Sequence, residues 1–129
     1  MKFPMTNSGK KTKYDLEERT ATFGENIIEF AKITPKNILT LPLLNQLIRS
    51  GTSVGANYCE ADCAESRKDF EHKLGIAKKE AKESKHWLRM VAKASHESAI
   101  QARTLWKEAN ELQLIFISII NKSKTNAEK

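Results

Sequence analysis

The sequence predicts an all-α protein, an antiparallel up-down-up-down bundle of four helices. Apolar residues recur at steps of three and four along four separate segments, which is the spacing of one helix face. Proline occurs only at Pro4, Pro35 and Pro42, and no glycine follows Gly75, so the last 54 residues lack both strong helix breakers. The 129 residues, 40% of them apolar and 29% charged, suit one soluble globular domain. Long helices with short connections are the elements of such a bundle.

The first two predicted helices cover about residues 15–33 and 40–65. Thr40 is the expected N-cap of the second helix, because its hydroxyl can accept from a free amide of the first turn. Gly51 and Gly55 lie one turn apart in that helix and lower its intrinsic stability by about 1 kcal/mol each. They therefore predict either a close approach of another helix or a kink.

The third and fourth predicted helices are separated by a break near Ser95. Ser66 is the expected N-cap of the third, with Asp69 three residues later in an acidic variant of the capping box. Its buried stripe is predicted at Phe70, Leu74, Ala77, Ala81, Ser84, Leu88 and Val91. The fourth helix is expected over about residues 98–121, with an inner stripe at Leu105, Ala109, Leu112, Phe116 and Ile119.

The end of the fourth helix is too apolar for one bundle core. Seven of the nine residues from Leu112 to Ile120 are apolar, and they cover most of the helix circumference. A β-strand is the alternative, because the run is rich in β-branched residues, but no second strand candidate exists to pair with it. We predict a helix that also supplies a subunit interface. The predicted interface residues are Leu114, Ile115, Ile117 and Ile120.

Charge is segregated along the chain. The net charge is +6, and all of it falls in residues 1–13 and 122–129, which we predict to be basic flexible tails. Residues 14–121, the predicted bundle, hold 15 basic and 15 acidic residues. Within them, Arg67 to Lys93 holds nine basic and four acidic residues, whereas residues 14–33 have an excess of three acids.

Nothing in the sequence predicts export or a membrane span. The densest apolar stretch has nine residues, against the roughly 18 or more that cross a bilayer. The first 14 residues are basic but are followed by no apolar core, so they do not resemble a secretory signal. Cys59 and Cys63 are too few for a disulfide framework. We therefore expect a cytoplasmic protein.

Catalysis, cofactors and metals are not expected. Glu83 and His86 form one E-x-x-H, but di-iron bundles need two such motifs, and the second is missing. Cys59 and Cys63 lie one helical turn apart without a second ligand pair, so we predict buried, apolar thiols. The three histidines have no serine or cysteine nucleophile context, so no hydrolase triad can be drawn.

Five cations follow steps of four, three, four and four on the third helix, about 100° from its buried stripe. They are Lys78, Lys82, Lys85, Arg89 and Lys93. Such a row can meet a phosphate backbone in a salt-dependent manner. The alternative is a solvated helix face balanced by Glu80 and Glu83. Trp87 and Trp106 are predicted to be core and interface anchors, with base stacking as the alternative.

Polar residues predict a network between the second and third helices. Its expected members are Arg49, Ser53, Asn57 and Glu60 on the second helix, and Glu80 and Glu83 on the third. A turn near residues 65 and 66 brings Arg49 opposite both third-helix glutamates, so we predict an interhelical ion pair. A structural network that fixes register is favoured, and a catalytic carboxylate site is the alternative.

Three segments of the sequence resemble a known family. They are QLIRSGTSVGANYCEA at 46–61, DF at 69–70 and AKKEAKESKHWL at 77–88. Together they resemble the four-helix-bundle family named for proteins encoded in intervening sequences of bacterial 23S ribosomal RNA genes. The matching positions are Gln46, Arg49, Ser53, Asn57, Glu60, Phe70, Ala77, Glu80, Ala81, Glu83 and Trp87. Val54 and Tyr58 stand where isoleucine is more usual.

The resemblance implies a left-handed antiparallel bundle that assembles, in known relatives, into a ring of five subunits. Distant relatives are accessory proteins of diversity-generating retroelements, which bind nucleic acid and a reverse transcriptase through a basic surface. The sequence thus leads to two functional hypotheses. The first is a non-catalytic homo-oligomer that binds nucleic acid, RNA rather than DNA, through the basic face and the lysine-rich tails. The second is a structural or protein-interaction module.

Overall fold

The computed structural model describes residues 15–127, which fold into four α-helices with no strand among them. The helices are α1 (Leu16–Ile33), α2 (Thr40–Asp62), α3 (Arg67–Ala94) and α4 (Ala99–Ala127), with a short 3-10 turn at His96–Ser98. Their packing is that of a bundle, as the sequence predicts. Within the described range, no helix combines the length and the hydrophobicity needed to cross a membrane.

The helix starts show which capping predictions are correct. The Ser66 hydroxyl accepts from the amide of Asp69 at 3.0 Å, which is the predicted cap of α3. At α2, however, the capping side chain is Asn37, whose Oδ1 accepts from the amides of Leu39 and Thr40 at 2.9 and 3.0 Å. The Thr40 hydroxyl instead accepts from the amide of Asn37 at 3.0 Å and donates to the carbonyl of Pro35 at 2.7 Å. An upstream asparagine therefore takes the role predicted for Thr40.

Helix α4 continues to Ala127 and does not end near Asn121 as predicted. No glycine or proline interrupts these last residues. The Ser123 hydroxyl donates to a carboxylate oxygen of Glu71 at 2.6 Å, which ties this part of α4 to α3. Residues 122–127 are therefore part of a helix, while the predicted tail at residues 1–13 lies outside the described residues.

The core consists of one apolar stripe from each helix, as the spacing predicts. The predicted α3 stripe is buried from Leu74 to Val91, and Phe70 packs against its edge. The predicted α4 stripe is buried at Leu105, Ala109, Leu112 and Phe116, whereas its last member, Ile119, is only partly buried against the core. These contacts hold α3 against α4, and the polar sides of α3 next to its buried stripe lie beside α2 and α4.

The two glycines of α2 permit a close approach to α1. A Cβ at Gly51 would lie 2.8 Å from Cγ1 of Ile27, and one at Gly55 would lie 3.3 Å from Oγ1 of Thr20. Helix α2 runs through both positions without interruption. Of the two alternatives that the sequence allows, close helix packing is the one present.

Candidate functional site

Helix α3 carries two polar flanks, one on each side of its buried stripe. The paired flank consists of Glu80, Glu83 and Trp87, and it contacts α2. The basic flank consists of Lys78, Lys82, Lys85, Arg89 and Lys93, and its central lysine contacts α4. Positions three and four residues apart share a face, which is why each set forms a row.

The paired flank contains the ion pair that the sequence predicts. One guanidinium nitrogen of Arg49 donates to both carboxylate oxygens of Glu80 at 3.3 Å, and the other terminal nitrogen donates to Glu83. The same Glu83 oxygen accepts from the indole nitrogen of Trp87 at 3.0 Å. All three charged side chains keep some contact with solvent, so their pairing contributes modestly to stability.

The remaining predicted network residues do not join this cluster. The Ser53 hydroxyl donates to the carbonyl of Arg49 at 2.6 Å, and the Asn57 amide donates to the carbonyl of Ser53 at 2.9 Å. Glu60 accepts from Lys73 at 3.1 Å, closer to the end of α2. The predicted set is therefore divided into one interhelical cluster, bonds within α2 and a separate ion pair.

The basic flank lacks such pairing. Lys82, Arg89 and Lys93 are exposed and Lys78 is half-buried, and none of them forms an ion pair with a carboxylate within residues 15–127. Lys85 differs, because its ammonium donates to Oδ1 of Asn110 at 2.9 Å. The flank therefore presents positive charge to solvent, with one lysine held against α4.

Two of the three glutamates of α3, Glu80 and Glu83, lie on the side opposite to the basic flank. The solvated-face interpretation invoked Glu80 and Glu83, but both are engaged by Arg49 on the paired flank. Glu71, nearer the start of α3, lies on the side of the basic flank, seven residues before Lys78, and its carboxylate accepts from the Ser123 hydroxyl of α4. No carboxylate among residues 15–127 forms an ion pair with Lys78, Lys82, Arg89 or Lys93, so the basic flank keeps a positive electrostatic potential that attracts an anionic ligand.

Helix α4 adds to this region Trp106, which the sequence predicts as an anchor with base stacking as the alternative, and two residues that the sequence did not indicate, Arg103 and Asn110. Arg103 is exposed, and Asn110 accepts from Lys85. Trp106 lies between them in sequence, with the Lys85 ammonium 5.0 Å from its ring centroid. The steps of three and four that join these α4 residues place them on one face, and this spacing was the available signal.

The prediction that Cys59 and Cys63 are buried is wrong, because both are exposed and free. The buried side of α2 passes through Val54 and Ala61, and the two cysteines point away from it. Partial burial, with a smaller effect of the Glu17 carboxylate, raises the pKa of the Cys59 thiol. A raised pKa disfavours the thiolate, so Cys59 is not an activated nucleophile.

The two side chains of the E-x-x-H pair contact other partners. Glu83 is occupied by Arg49 and Trp87, and the exposed His86 ring contacts the edge of Trp87, with ring centroids 4.8 Å apart. No cluster of three or more histidine, cysteine or acidic side chains suited to a metal ion occurs in the part of the chain that the structure describes.

The predicted interface residues of α4 differ in their surroundings. Leu114 is 57% exposed, and it lines a shallow surface depression of about 470 Å³ together with the half-buried Ile117. Ile115 packs partly against the core, and Ile120 is buried within it. Of the four predicted interface residues, Leu114 and Ile117 therefore offer the apolar surface that a partner could contact.

Comparisons with known proteins agree with the resemblance seen in the sequence. The family model of the 23S rRNA-intervening sequence protein matches residues 12–118. A solved structure from Bacteroides thetaiotaomicron, described as a protein with unknown function from the S23 ribosomal protein family, is 32% identical. The match covers 81% of this chain and 97% of that one, with a TM-score of 0.72. Among curated proteins, no sequence gives a significant match. The model match spans most of the chain, and the chain belongs to the 23S rRNA-intervening sequence protein family.

Proposed function

We propose that this protein is a non-catalytic nucleic-acid-binding protein that contacts the phosphate backbone of RNA through the basic flank of α3. The observation that carries the proposal is the division of charge on α3. Glu80 and Glu83 are bound by Arg49, while Lys78, Lys82, Arg89 and Lys93 pair with no carboxylate among the described residues. Each phosphate contact by such a cation releases counterions, which makes the binding favourable and salt-dependent.

Features outside the flank support RNA as the ligand. The net charge of +6 attracts any polyanion, and exposed Lys122 and Lys124 add positive charge to the last turns of α4. The names of the family and of the similar structure both refer to ribosomal components. Two exposed free thiols suit a reducing compartment, and we assign the binding to the cytoplasm.

The proposal includes assembly of identical chains, with the ring of five known among relatives as the expected form. We propose that the helices alternate in direction in a left-handed bundle and that Leu114 and Ile117 contribute to the contact between copies. Several weak phosphate sites in one ring would gain affinity through avidity. Sedimentation equilibrium tests this: Leu114→Asp with Ile117→Asp should lower the subunit number. The control, Ile100→Asp, changes an apolar residue of the same helix that is 76% exposed and should leave the subunit number unchanged.

Filter binding at two salt concentrations tests the RNA proposal. We expect Lys78→Glu, Lys82→Glu and Arg89→Glu, combined, to weaken binding of single-stranded RNA at least about tenfold at low salt. Lys85 is left unchanged because it is held by Asn110 and Trp106. Single-stranded DNA of the same sequence serves as a competitor, and preference for RNA is the expected result.

The matched control makes the same change in net charge elsewhere. It combines Lys32→Glu, Lys68→Glu and Lys79→Glu, three exposed lysines that lie outside the basic flank. We expect it to retain most of the binding. Equal losses in the two triple variants would contradict the basic flank as the binding surface.

A second candidate function is protein interaction without nucleic-acid binding. It is favoured by apolar side chains exposed in and beside the connection between α1 and α2. Ile38 is 90% exposed, Ile33 65% and Leu39 61%, a concentration that often marks contact with another protein. Failure of the parent protein to retain any RNA at low salt would favour this candidate over the first.

A further inference from the structure

A groove opens beside the basic flank, between the end of α3 and the start of α4. It has a volume of about 290 Å³. The residues lining this Trp106 groove are Leu88, Arg89, Ala92, Ala102, Arg103 and Trp106. Two of them are exposed arginines from different helices, and none of these lining residues is acidic. The groove is thus an apolar recess with cations at its edges, which suits a ligand that has a flat apolar part and negative charge.

Trp106 is the large flat surface in this recess. It keeps 38% of its surface exposed, although tryptophan is a side chain whose burial contributes strongly to stability. The Lys85 ammonium lies 5.0 Å from the ring centroid, and its bond to Asn110 holds it in place. This cation–π contact orients the indole. Lys85 is therefore a positioning residue for Trp106 rather than a free phosphate contact.

The size and chemistry of the groove match one unpaired nucleotide. Sites for drug-sized ligands begin at roughly 300 Å³, so a groove of about 290 Å³ accommodates little more than one planar group. Proteins that bind single strands combine a positive path for the backbone with aromatic side chains on which bases stack. A base inside a duplex is already stacked on its neighbours and offers no free face to a side chain.

We propose that the Trp106 groove binds an unpaired nucleotide of single-stranded RNA. The base stacks on Trp106, and the flanking phosphates contact Arg89 and Arg103. This inference rests on the proposed function, because the basic flank leads the backbone into the groove. It adds to that function a preference for unpaired over duplex RNA and an arginine, Arg103, that the basic flank does not contain.

Tryptophan fluorescence tests the stacking directly, because the chain has two tryptophans. In Trp87→Phe, Trp106 is the sole reporter, and in Trp106→Phe the sole reporter is Trp87, which lies on the paired flank. We expect oligouridine to quench Trp106 with saturation and to leave Trp87 unchanged. Oligouridine annealed to oligoadenylate, and polyglutamate, should not quench Trp106.

Binding measurements on two further variants give the affinity. Trp106→Leu should lower affinity for oligouridine at least about fivefold and leave duplex affinity unchanged. Arg103→Gln alters an exposed side chain, so folding is not at risk, and it should reduce the slope of log affinity against log salt by about 0.7.

The outcomes separate this inference from the proposed function. If the parent binds RNA through the basic flank while Trp106→Leu binds oligouridine as tightly as the parent, the groove proposal is wrong and the proposed function stands. Equal quenching by duplex RNA, or by polyglutamate, also overturns the groove proposal. If the parent binds no RNA at low salt, the proposed function fails, and this inference fails with it.

Discussion

The two flanks of α3 differ in what the neighbouring helix offers them. On the paired flank, α2 supplies Arg49 to Glu80 and Glu83 of α3. On the basic flank, α4 supplies Asn110, Trp106 and another cation, Arg103, but no carboxylate in contact with the row. The charges of the paired flank are therefore neutralised by an ion pair within the folded protein, whereas those of the basic flank repel one another. A local arrangement that works against stability is typical of a functional surface.

The largest effect on stability is expected on the paired flank. Arg49→Met should lower the free energy of unfolding by about 1–2 kcal/mol, because the mostly buried Glu80 loses its charged partner and Glu83 keeps only the Trp87 indole. Arg89→Met, the matched change on the basic flank, should alter it by less than about 0.5 kcal/mol. Urea denaturation followed by circular dichroism measures both. Equal losses of unfolding free energy in the two variants would contradict the expected difference between the flanks.

An intermediate effect on stability is expected from the titration of Tyr58, which lies near the acidic side chains of α1 and α2. Burial, followed by the carboxylates of Asp62, Glu17 and Asp15, raises the pKa of Tyr58 to about 12 from an ordinary value of 10.0. Between those pH values the unfolded chain loses the phenol proton and the folded chain keeps it. Stability should therefore fall as pH rises through this window.

Tyr58→Phe tests this expectation, because it removes the titrating group and should make the fall in stability shallower. Urea midpoints measured across the window give the slope for the parent and the variant. A constant offset between the two proteins, with parallel slopes, would show that Tyr58 does not titrate differently in the folded state.

The smallest effect is expected from relieving repulsion within the basic flank. Lys82 has like-charged neighbours at Lys78 and Lys85, four residues before and three after. Lys82→Gln should raise the free energy of unfolding by a few tenths of a kcal/mol at low salt. Added salt should reduce the gain. Lys79→Gln is the control, because one of its neighbours is Lys82 and another is Glu83; a gain as large there would contradict the repulsion.

Much of the fold could be predicted from local signals. The spacing of apolar residues predicts the four helices. The capping-box pattern, a serine at 66 followed three residues later by Asp69, predicts the N-cap of α3. The ion pair of Arg49 could be predicted from the turn position alone, because opposed residues in a helix hairpin have a constant sum of sequence numbers. In each case the interaction depends on one helix or on two consecutive ones.

Other features could not be predicted because several arrangements share the same pattern. The seven apolar residues between Leu112 and Ile120 are spread around most of the circumference of α4. Their spacing alone therefore did not separate the buried Ile120 from the exposed Leu114. The exposure of Cys59 depends on which face of α2 meets its neighbours. Asn37 replaced Thr40 as the cap because its side chain reaches two free amides from outside the helix.

The amino-acid sequence alone determined the helices, the buried stripes and the presence of a cation row on α3, since these follow from interactions within a turn or two of chain. The hairpin register already indicated the ion pair of Arg49, but only the tertiary structure decided that no carboxylate of the described residues reaches Lys78, Lys82, Arg89 or Lys93. Arg49 reaches Glu80 and Glu83 across separations of 31 and 34 residues, and Lys85 reaches Asn110 across 25. Electrostatic pairing depends on distance in space, so packing left the basic flank open and set Trp106 beside it.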